Sequence, residues 1–425
     1  PQALVGLIID DKGHAMTDFY DKLETRDPSK RQAEQVQALS NQVAHAQATC
    51  PAWADILQAV SASDITSAES FAALPITRKS SLIELQKNSM PFGGLVSSEA
   101  APLAYVFTSP GPINEPGFDV PDHWHFARAL YAGGLRKGDL VHNTFSYHFT
   151  PAGMMFDNAA KALGCTVIAA GVGNSEMQAQ SIAALKPKAY VGTPSFFKIV
   201  LEKADELGLD VNSVTHAVVS GEPFFPAQQA FFKARGLQVL QGYATADLGS
   251  IAYETSAQEG MVIDEEVYLE IVRPGTGDLV ADGEVGEVVV TNFNPHYPLI
   301  RFATGDMSAI MAGQSPCGRT NKRIKGWMGR ADQAIKVRGM FVRPEQVANL
   351  VAKHEQLVKV RLQVTQVDGQ DNLQVLCETT VISSEMAAQI THSVRSVLHL
   401  RGGVVLQEVG SLPNDGIVIH DQREH

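Results

Sequence analysis

Cysteine and clustered basic residues are both scarce in this 425-residue sequence. The four cysteines (Cys50, Cys165, Cys317 and Cys377) lie far apart, and no CxxC pair occurs. This scatter predicts neither a disulfide framework nor a zinc ribbon, and it is typical of a protein from a reducing compartment. Lysine and arginine form no cluster, and the formal net charge is −12. We therefore expect no nucleic-acid partner, because binding a phosphate backbone requires concentrated positive charge.

Long apolar runs are missing as well. No segment approaches the roughly 18 residues that a membrane span requires, and no signal-peptide pattern opens the chain. We therefore expect a cytoplasmic protein without membrane contact. Hydrophobic residues make up 44% of the sequence and charged residues 19%. A chain of this length and composition is sufficient for two or three globular domains.

From about residue 139 to residue 262, short apolar runs alternate with helical segments. The runs "DLVHNTFSY", "CTVIAAG", "AYVG", "THAVVSG" and "LQVLQGY" are typical of strands, and apolar residues recur at helical spacing between them. This alternation predicts parallel strands with helices on both faces of the sheet. Residues 1–100 read as a mainly helical N-terminal part.

The pattern changes after residue 262. The runs "EVYLEIV" and "GEVVVTN" flank a turn rich in glycine and aspartate, which predicts a small antiparallel β unit. The remaining sequence has its own strands and helices. We predict an α/β fold with a large domain over residues 1–331 and a small α+β domain over residues 332–425.

Four loops follow strands at positions where parallel sheets bind ligands. They are Gly221–Pro223, Gly242–Gly249, Pro298–Ser308 and Gly326–Val347. Each loop taken alone has an ordinary turn composition. Their order and spacing along the chain are more specific evidence for function than the composition of any one loop.

That order resembles the adenylate-forming enzymes, and most closely the phenylacetate–coenzyme A ligase family. The resemblance rests on "FYDKLETRDPSKRQAEQ", "LPITRKSSL", "YVGTPSF", "GEP", "RFATGD" and "GRADQAIKVRGMFVRPEQV", and it covers nearly the whole chain. It implies an AMP-forming acid–coenzyme A ligase that uses ATP and Mg²⁺. Such an enzyme converts a carboxylic acid, plausibly aromatic, to an acyl-adenylate and passes the acyl group to coenzyme A. A mobile C-terminal domain and a homodimer are also implied.

The resemblance implies a role for individual residues. Asp306 would hold the ribose hydroxyls, and Arg330 would contact the ribose or phosphate. Tyr243 would stack on the adenine, beside Gly221, Glu222 and Pro223. Asp332 matches the hinge, and Lys336 and Gly339 match the region that lines the site during thioester formation.

The matching phosphate loop departs from the family pattern. Thr108, Ser109 and Gly111 retain groups that donate hydrogen bonds to phosphate, but three prolines in the same stretch remove backbone N–H donors. Glu115 stands about where the family has a lysine. A carboxylate there repels phosphate, so we expect the loop to bind triphosphate poorly.

Two further family motifs are altered. In the tyrosine motif, Asp247 retains a carboxylate for Mg²⁺, whereas Ala246 lacks the family's hydroxyl. At the C-terminus, Ile417 follows Gly416 where the family has a lysine that reaches the reacting carboxylate. Arg423 or His420 would replace that lysine only with a rearranged backbone.

Some family members carry zinc ligands, of which this sequence retains Cys317. The other ligand positions are Ser315, Thr255 and Met261. A single thiolate does not make a four-ligand site, so we predict no structural zinc.

Three hypotheses about function follow. The first is an acid–coenzyme A ligase in which Asp247, Arg330 and Lys336 are catalytic and the acid packs near Phe145, Tyr147 and Phe149. The second is an acyl-transfer homologue that uses a preformed acyl-adenylate or acyl-thioester. The third is a pseudo-ligase that binds nucleotide or coenzyme A without catalysis.

Overall fold

The computed structural model describes residues 8–9, 15–16, 19–109, 113–331, 335–338, 340–367, 370–413 and 417–423. These residues divide into two compact units. The first unit comprises the described residues up to Leu269 together with Val290–Phe302 and Gly313–Gly326. The second comprises Glu270–Val289, Ala303–Ala312 and the described residues from Trp327 onward. The predicted boundary at 331/332 stays a prediction.

The strands are β1 Ile8–Ile9, β2 Ala15–Met16, β3 Thr77–Arg78, β4 Leu103–Ser109, β5 Ile113–Phe118, β6 Leu140–Asn143, β7 Thr166–Ala169, β8 Ala189–Gly192, β9 His216–Val219, β10 Gln238–Thr245, β11 Gly249–Glu254, β12 Met261–Ile263, β13 Val267–Val272, β14 Gly286–Asn292, β15 Phe302–Ser308, β16 Ile310–Met311, β17 Arg323–Ile324, β18 Ile335–Val337, β19 Met340–Val342, β20 Leu357–Val367, β21 Gln370–Thr379, β22 Gly403–Gln407 and β23 Ile419–Asp421. The α-helices are α1 Pro28–Thr49, α2 Pro51–Ile56, α3 Ala68–Ala72, α4 Lys79–Asn88, α5 Ala127–Ala132, α6 Ala152–Ala162, α7 Ser175–Leu185, α8 Pro194–Glu206, α9 Pro226–Ala234, α10 Pro344–Ala352 and α11 Ser384–Leu398.

The first unit is organised around a mixed sheet, in which its strands follow the order β17-β12-β11-β10-β9-β8-β6-β7. Strands β6 to β10 pair in parallel, and β11, β12 and β17 continue the sheet with antiparallel pairing. The predicted parallel sheet with intervening helices is confirmed.

Helices cover both faces of this sheet because its central strands are apolar on both sides. Tyr190 of β8 packs in a core with Phe197 and Phe232, whereas the next residue, Val191, packs in a second core with Phe145. Successive strand side chains point to opposite faces. Continuous apolar runs such as "AYVG" are therefore buried on both sides, as in other parallel sheets.

Two stretches that we expected to be loops are strands instead. Tyr243 to Thr245 extend β10 and pair with β11, with a bulge between Tyr243 and Ala244. The buried run "GSIAYE" folds back beside them and supplies the hydrogen-bond partners. Likewise, Asp306 lies within the fully buried strand β15.

The second unit contains the predicted α+β arrangement. Strands β20 and β21 form a long antiparallel pair, and β23 and β22 extend this sheet in parallel at its two sides. Helix α11 packs on it through Met386, Ile390 and Val394, which recur at helical spacing on one face. No helix in the described part of the chain is long and apolar enough to cross a membrane.

Candidate functional site

The stretch that resembles a phosphate loop is a β-hairpin. Strands β4 and β5 pair antiparallel, with Phe107 opposite Glu115 and Ser109 opposite Ile113. Ser109 and Glu115 are therefore diagonal neighbours on one face of the hairpin. The tip, residues 110–112, lies outside the described residues, and so does Gly111. Thr108 donates a hydrogen bond to Asn114 at 3.0 Å.

Glu115 is buried beneath this hairpin, with only 2% of its surface exposed. The Ser109 hydroxyl lies 2.7 Å from one oxygen of the carboxyl group and 2.5 Å from the other. Burial, together with the nearby Asp247 carboxylate, raises the pKa of Glu115 to about 7. The Glu115 side chain is thus partly protonated at neutral pH.

Asp247 lies in the turn between β10 and β11, and its side chain is 1% exposed. Its Oδ2 accepts a hydrogen bond from the Lys79 ammonium at 3.2 Å. Its Oδ1 makes no hydrogen bond within the described residues. Lys79 is the first residue of α4, so the helix start directs a cation at a buried carboxylate.

Tyr297 completes this group. Its hydroxyl is buried and makes no hydrogen bond among the residues that the structure describes. Burial raises the pKa of Tyr297 far above its usual value, and the negative charges of Asp247 and Glu115 raise it further. We call Lys79, Ser109, Glu115, Asp247 and Tyr297 the carboxyl cluster.

The residues expected beside adenine lie in the first unit. Gly221 adopts a positive φ of 84° at the end of β9, a conformation that glycine accommodates without strain. Glu222 accepts the backbone N–H of Ser195 at 2.6 Å, near the start of α8, where a carboxylate is favourable. Pro223 and Tyr243 are half-buried. Their roles toward a nucleotide stay predictions.

Asp306 and Arg330 are brought together within the second unit. The segment Met328–Ala331 runs beside β15 through backbone hydrogen bonds, and Asp306 and Arg330 form a bridge pair. The Arg330 guanidinium lies 3.2 Å from Asp306 Oδ1. The Trp327 indole N–H donates to the same oxygen at 3.0 Å, while 48% of the tryptophan remains exposed.

Only part of the segment that carries the hinge and thioester residues belongs to the described structure. Asp332 and Gly339 lie outside the described residues, and of Lys336 the structure describes only the backbone, paired with Phe341. At the C-terminus, Arg423 forms ion pairs with Asp421 at 2.6 Å and Asp371 at 3.0 Å. These two carboxylates hold the Arg423 guanidinium within the second unit.

Three of the four positions matched to zinc ligands are neighbours in space. The Ser315 hydroxyl lies 3.0 Å from the Cys317 sulfur, and the side chain of Thr255 also hydrogen-bonds to that sulfur. Within the described residues, no three His, Cys, Asp or Glu side chains form a group that could hold a metal ion.

The aromatic residues expected around the acid do not pack as one group in the described structure. Phe145 is buried and stacks on Phe156 with ring centroids 4.5 Å apart. The Tyr147 hydroxyl accepts a hydrogen bond from Asn143 at 2.8 Å. Phe149 is 80% exposed. The position of an acid substrate among them stays a prediction.

The sequence did not identify Lys79 and Tyr297 of the carboxyl cluster, nor Trp327 beside Asp306. Lys79 lies in the stretch "LPITRKSSL" that carried the resemblance, yet no charge pattern distinguishes it from nearby lysines. Trp327 lies in the loop Gly326–Val347, but no motif residue was assigned to it, and Tyr297 has no periodicity or motif that marks it. Their placement depends on tertiary contacts, which the sequence pattern does not reveal.

The chain is similar in sequence to known enzymes over most of its length. The family model described as AMP-binding enzyme matches residues 123–294. Phenylacetate-coenzyme A ligase of Aromatoleum evansii is 30% identical over 374 residues, which cover 84% of this chain and 83% of the relative. Phenylacetate-coenzyme A ligase of Escherichia coli K12 is 28% identical over 92% of this chain and 94% of its own length.

A solved structure has the same fold. It is an open conformation of 2-hydroxyisobutyryl-CoA ligase in complex with 2-HIB-AMP and CoA, with a TM-score of 0.72 and 23% sequence identity. The alignment covers 93% of this chain and 92% of that chain.

Proposed function

Because the chain belongs to the phenylacetate–coenzyme A ligase family of adenylate-forming enzymes, we propose that it joins a carboxylic acid to coenzyme A through an acyl-adenylate. The acid is of the phenylacetate type, an aromatic or related organic acid with an apolar body. The observation that carries this proposal is the pairing of Asp306 with Arg330, the two residues that the resemblance matches to contacts with the ribose and with the ribose or phosphate.

Asp306 is suited to binding ribose. Its carboxylate is an acceptor-only group able to take two O–H bonds. Arg330 and Trp327 fix one of its oxygens in place, so less conformational freedom is lost when a nucleotide binds. The half-exposed Arg330 guanidinium is a planar fork of donors suited to phosphate oxygens.

Mg²⁺ fits the donors near Asp247. Carboxylate oxygens are the ligands that Mg²⁺ prefers, and Asp247 Oδ1 is buried with no hydrogen-bond partner among the described residues. Asp247 would hold the ion, which would supply positive charge toward nucleotide phosphates. Lys79 already places a cation beside this carboxylate, so its ammonium would have to leave Asp247 before it could contact a phosphate.

A second function is supported by the same cluster. The hydroxyl of Ser109 and the ammonium of Lys79 are both engaged by carboxyl groups of the protein itself. An enzyme with this arrangement would use a preformed acyl-adenylate more readily than ATP and free acid. Acyl transfer from an adenylate to coenzyme A is therefore the alternative activity.

The test compares two reactions of the full chain. In the first, the protein receives phenylacetate, ATP, Mg²⁺ and coenzyme A, and thioester formation is measured together with acid-dependent exchange of pyrophosphate into ATP. In the second, it receives chemically prepared phenylacetyl-adenylate and coenzyme A. Product in both reactions supports the ligase, and product in the second alone supports the acyl-transfer homologue.

Controls identify the site responsible. Asp306→Ala should lower both reactions, whereas Glu84→Gln, at an exposed position of α4, should leave both unchanged. Absence of thioester from both reactions, over a panel of aliphatic and aromatic acids and their adenylates, would contradict both functions, and AMP binding in the same preparation would then support a pseudo-ligase.

A further inference from the structure

The carboxyl cluster contains more negative than positive groups. Glu115 and Asp247 are both buried, and the only side-chain cation that the described contacts place against them is Lys79, which pairs with Asp247. Glu115 has a hydroxyl as its partner instead. A second negative group entering this space meets a carboxyl that has no ion-pair partner of its own within the described residues.

The same contacts occupy the polar groups that a triphosphate requires. Ser109 is one of the hydroxyl residues retained from the family's phosphate loop, and its O–H points at Glu115. The Lys79 ammonium points at Asp247. Both side chains must release a carboxyl group of the protein before they donate to β- or γ-phosphate oxygens.

Tyr297 is an independent indication that the cluster is incomplete without a ligand. Its hydroxyl is more than nine-tenths buried and lies near both carboxyl groups, yet it makes no hydrogen bond within the described residues. Buried hydroxyls are usually hydrogen-bonded. A ligand with oxygen atoms at this position supplies the missing partner.

We propose that Glu115 is a specificity-determining residue that makes this site select a nucleoside monophosphate, or the adenylate of an acid, over a nucleoside triphosphate. The inference rests on the proposed function, since it assumes that the nucleotide occupies the family's site. Gly221–Pro223 and Tyr243, which the resemblance matches to the adenine site and which lie in the same unit as Glu115, would contact the part that AMP, ATP and acyl-adenylate share. Glu115 acts on the part that only the triphosphate carries, by repelling its charge and by retaining the Ser109 hydroxyl.

The test is calorimetric titration of the full chain at pH 8, where the Glu115 carboxyl is mostly ionised, with AMP and ATP, each with and without Mg²⁺. The unaltered protein should bind AMP at least about tenfold more tightly than ATP. Glu115→Gln has nearly the shape of the protonated side chain and should tighten ATP binding by about tenfold while AMP binding stays within about twofold. The matched control Glu84→Gln should change neither affinity.

A double variant tests the mechanism. Adding Ser109→Ala to Glu115→Gln should remove part of the gain for ATP, since the released hydroxyl is then absent. The proposal is overturned if the unaltered protein binds the two nucleotides equally. It is also overturned if Glu115→Gln shifts both affinities alike, or if Mg²⁺-ATP binds the unaltered protein more tightly than the variant.

Absence of a nucleotide site has a different signature. In that case neither nucleotide binds the unaltered protein or any variant, and both proposals fall. If AMP binds and Asp306→Ala weakens it, but AMP and ATP are not distinguished, only the role of Glu115 is refuted. The comparison of AMP with ATP on the unaltered protein requires no variant to fold.

Discussion

Replacing Glu115 by glutamine should make the protein more stable at alkaline pH. The Glu115 carboxyl keeps its proton in the folded chain up to a pKa of about 7, against 4.5 for an ordinary glutamate. Between these values the folded state binds more protons than the unfolded state, so stability falls as pH rises. A glutamine side chain keeps the size and hydrogen-bonding capacity of the protonated glutamate and carries no charge at any pH.

The size of the effect follows from the shift in pKa. A difference of about 2.5 units corresponds to about 3 kcal/mol between the limits of low and high pH. About 2 kcal/mol of this falls between pH 5.5 and pH 8, because an unfolded glutamate is already ionised at pH 5.5. The free energy of unfolding of Glu115→Gln, relative to the unaltered protein, should increase by that amount over this range.

Urea unfolding at pH 5.5, 6.5, 7.5 and 8.0 measures the difference. Other buried acids, such as Asp122 and Asp264, also have raised pKa values, but they contribute equally to both proteins and cancel. Glu84→Gln on the exposed face of α4 should follow the unaltered protein at every pH. Parallel curves for Glu115→Gln and the unaltered protein would refute the assignment of a buried, protonated Glu115.

Three other outcomes are expected. Asp306→Ala should weaken AMP binding by about 10- to 100-fold in calorimetry, since hydrogen bonds to a charged group contribute about 1.5–3 kcal/mol; an unchanged affinity would exclude Asp306 from the ribose site. Ile417→Lys should increase acid-dependent pyrophosphate exchange by about tenfold or more, because it restores a cation at the position where the family has its C-terminal lysine. No increase would show that this position does not reach the reacting groups. AMP should change the tryptophan fluorescence of the unaltered protein through Trp327, whose indole N–H donates a hydrogen bond to Asp306. The change should disappear in Trp327→Phe. A change that persists in this variant would come from another tryptophan.

Much of the fold could be predicted because its signals are local. The alternation of apolar runs and helical segments identified β6 to β10 and their helices, since each strand is buried on both faces and each helix on one. The antiparallel return of β11 onto Tyr243–Thr245 was missed. Its cause is a long-range pairing of two strands, and a stretch ending in "ATADLG" has the composition of a loop.

The candidate site could be predicted only in part. Motif spacing identified Asp306 and Arg330, and the structure brings them within hydrogen-bond distance. The environment of Glu115 could not be derived in the same way. The sequence indicated an exposed, charged carboxylate, whereas the hairpin register brings it beside Ser109 in a buried position near Asp247. Burial and protonation depend on these tertiary neighbours.

The short strand β23 has a consequence for how the protein can be handled. It covers the middle of the outer edge of β20, where Ile419 to Asp421 pair with Leu362 to Val364. A chain cut before Ile417 leaves the backbone N–H and C=O groups of that 11-residue strand open along this side. Open strand edges of this length recruit other chains by the same pairing. Truncated preparations should therefore self-associate, and fusion tags are better attached beyond Arg423 than substituted for the segment before it.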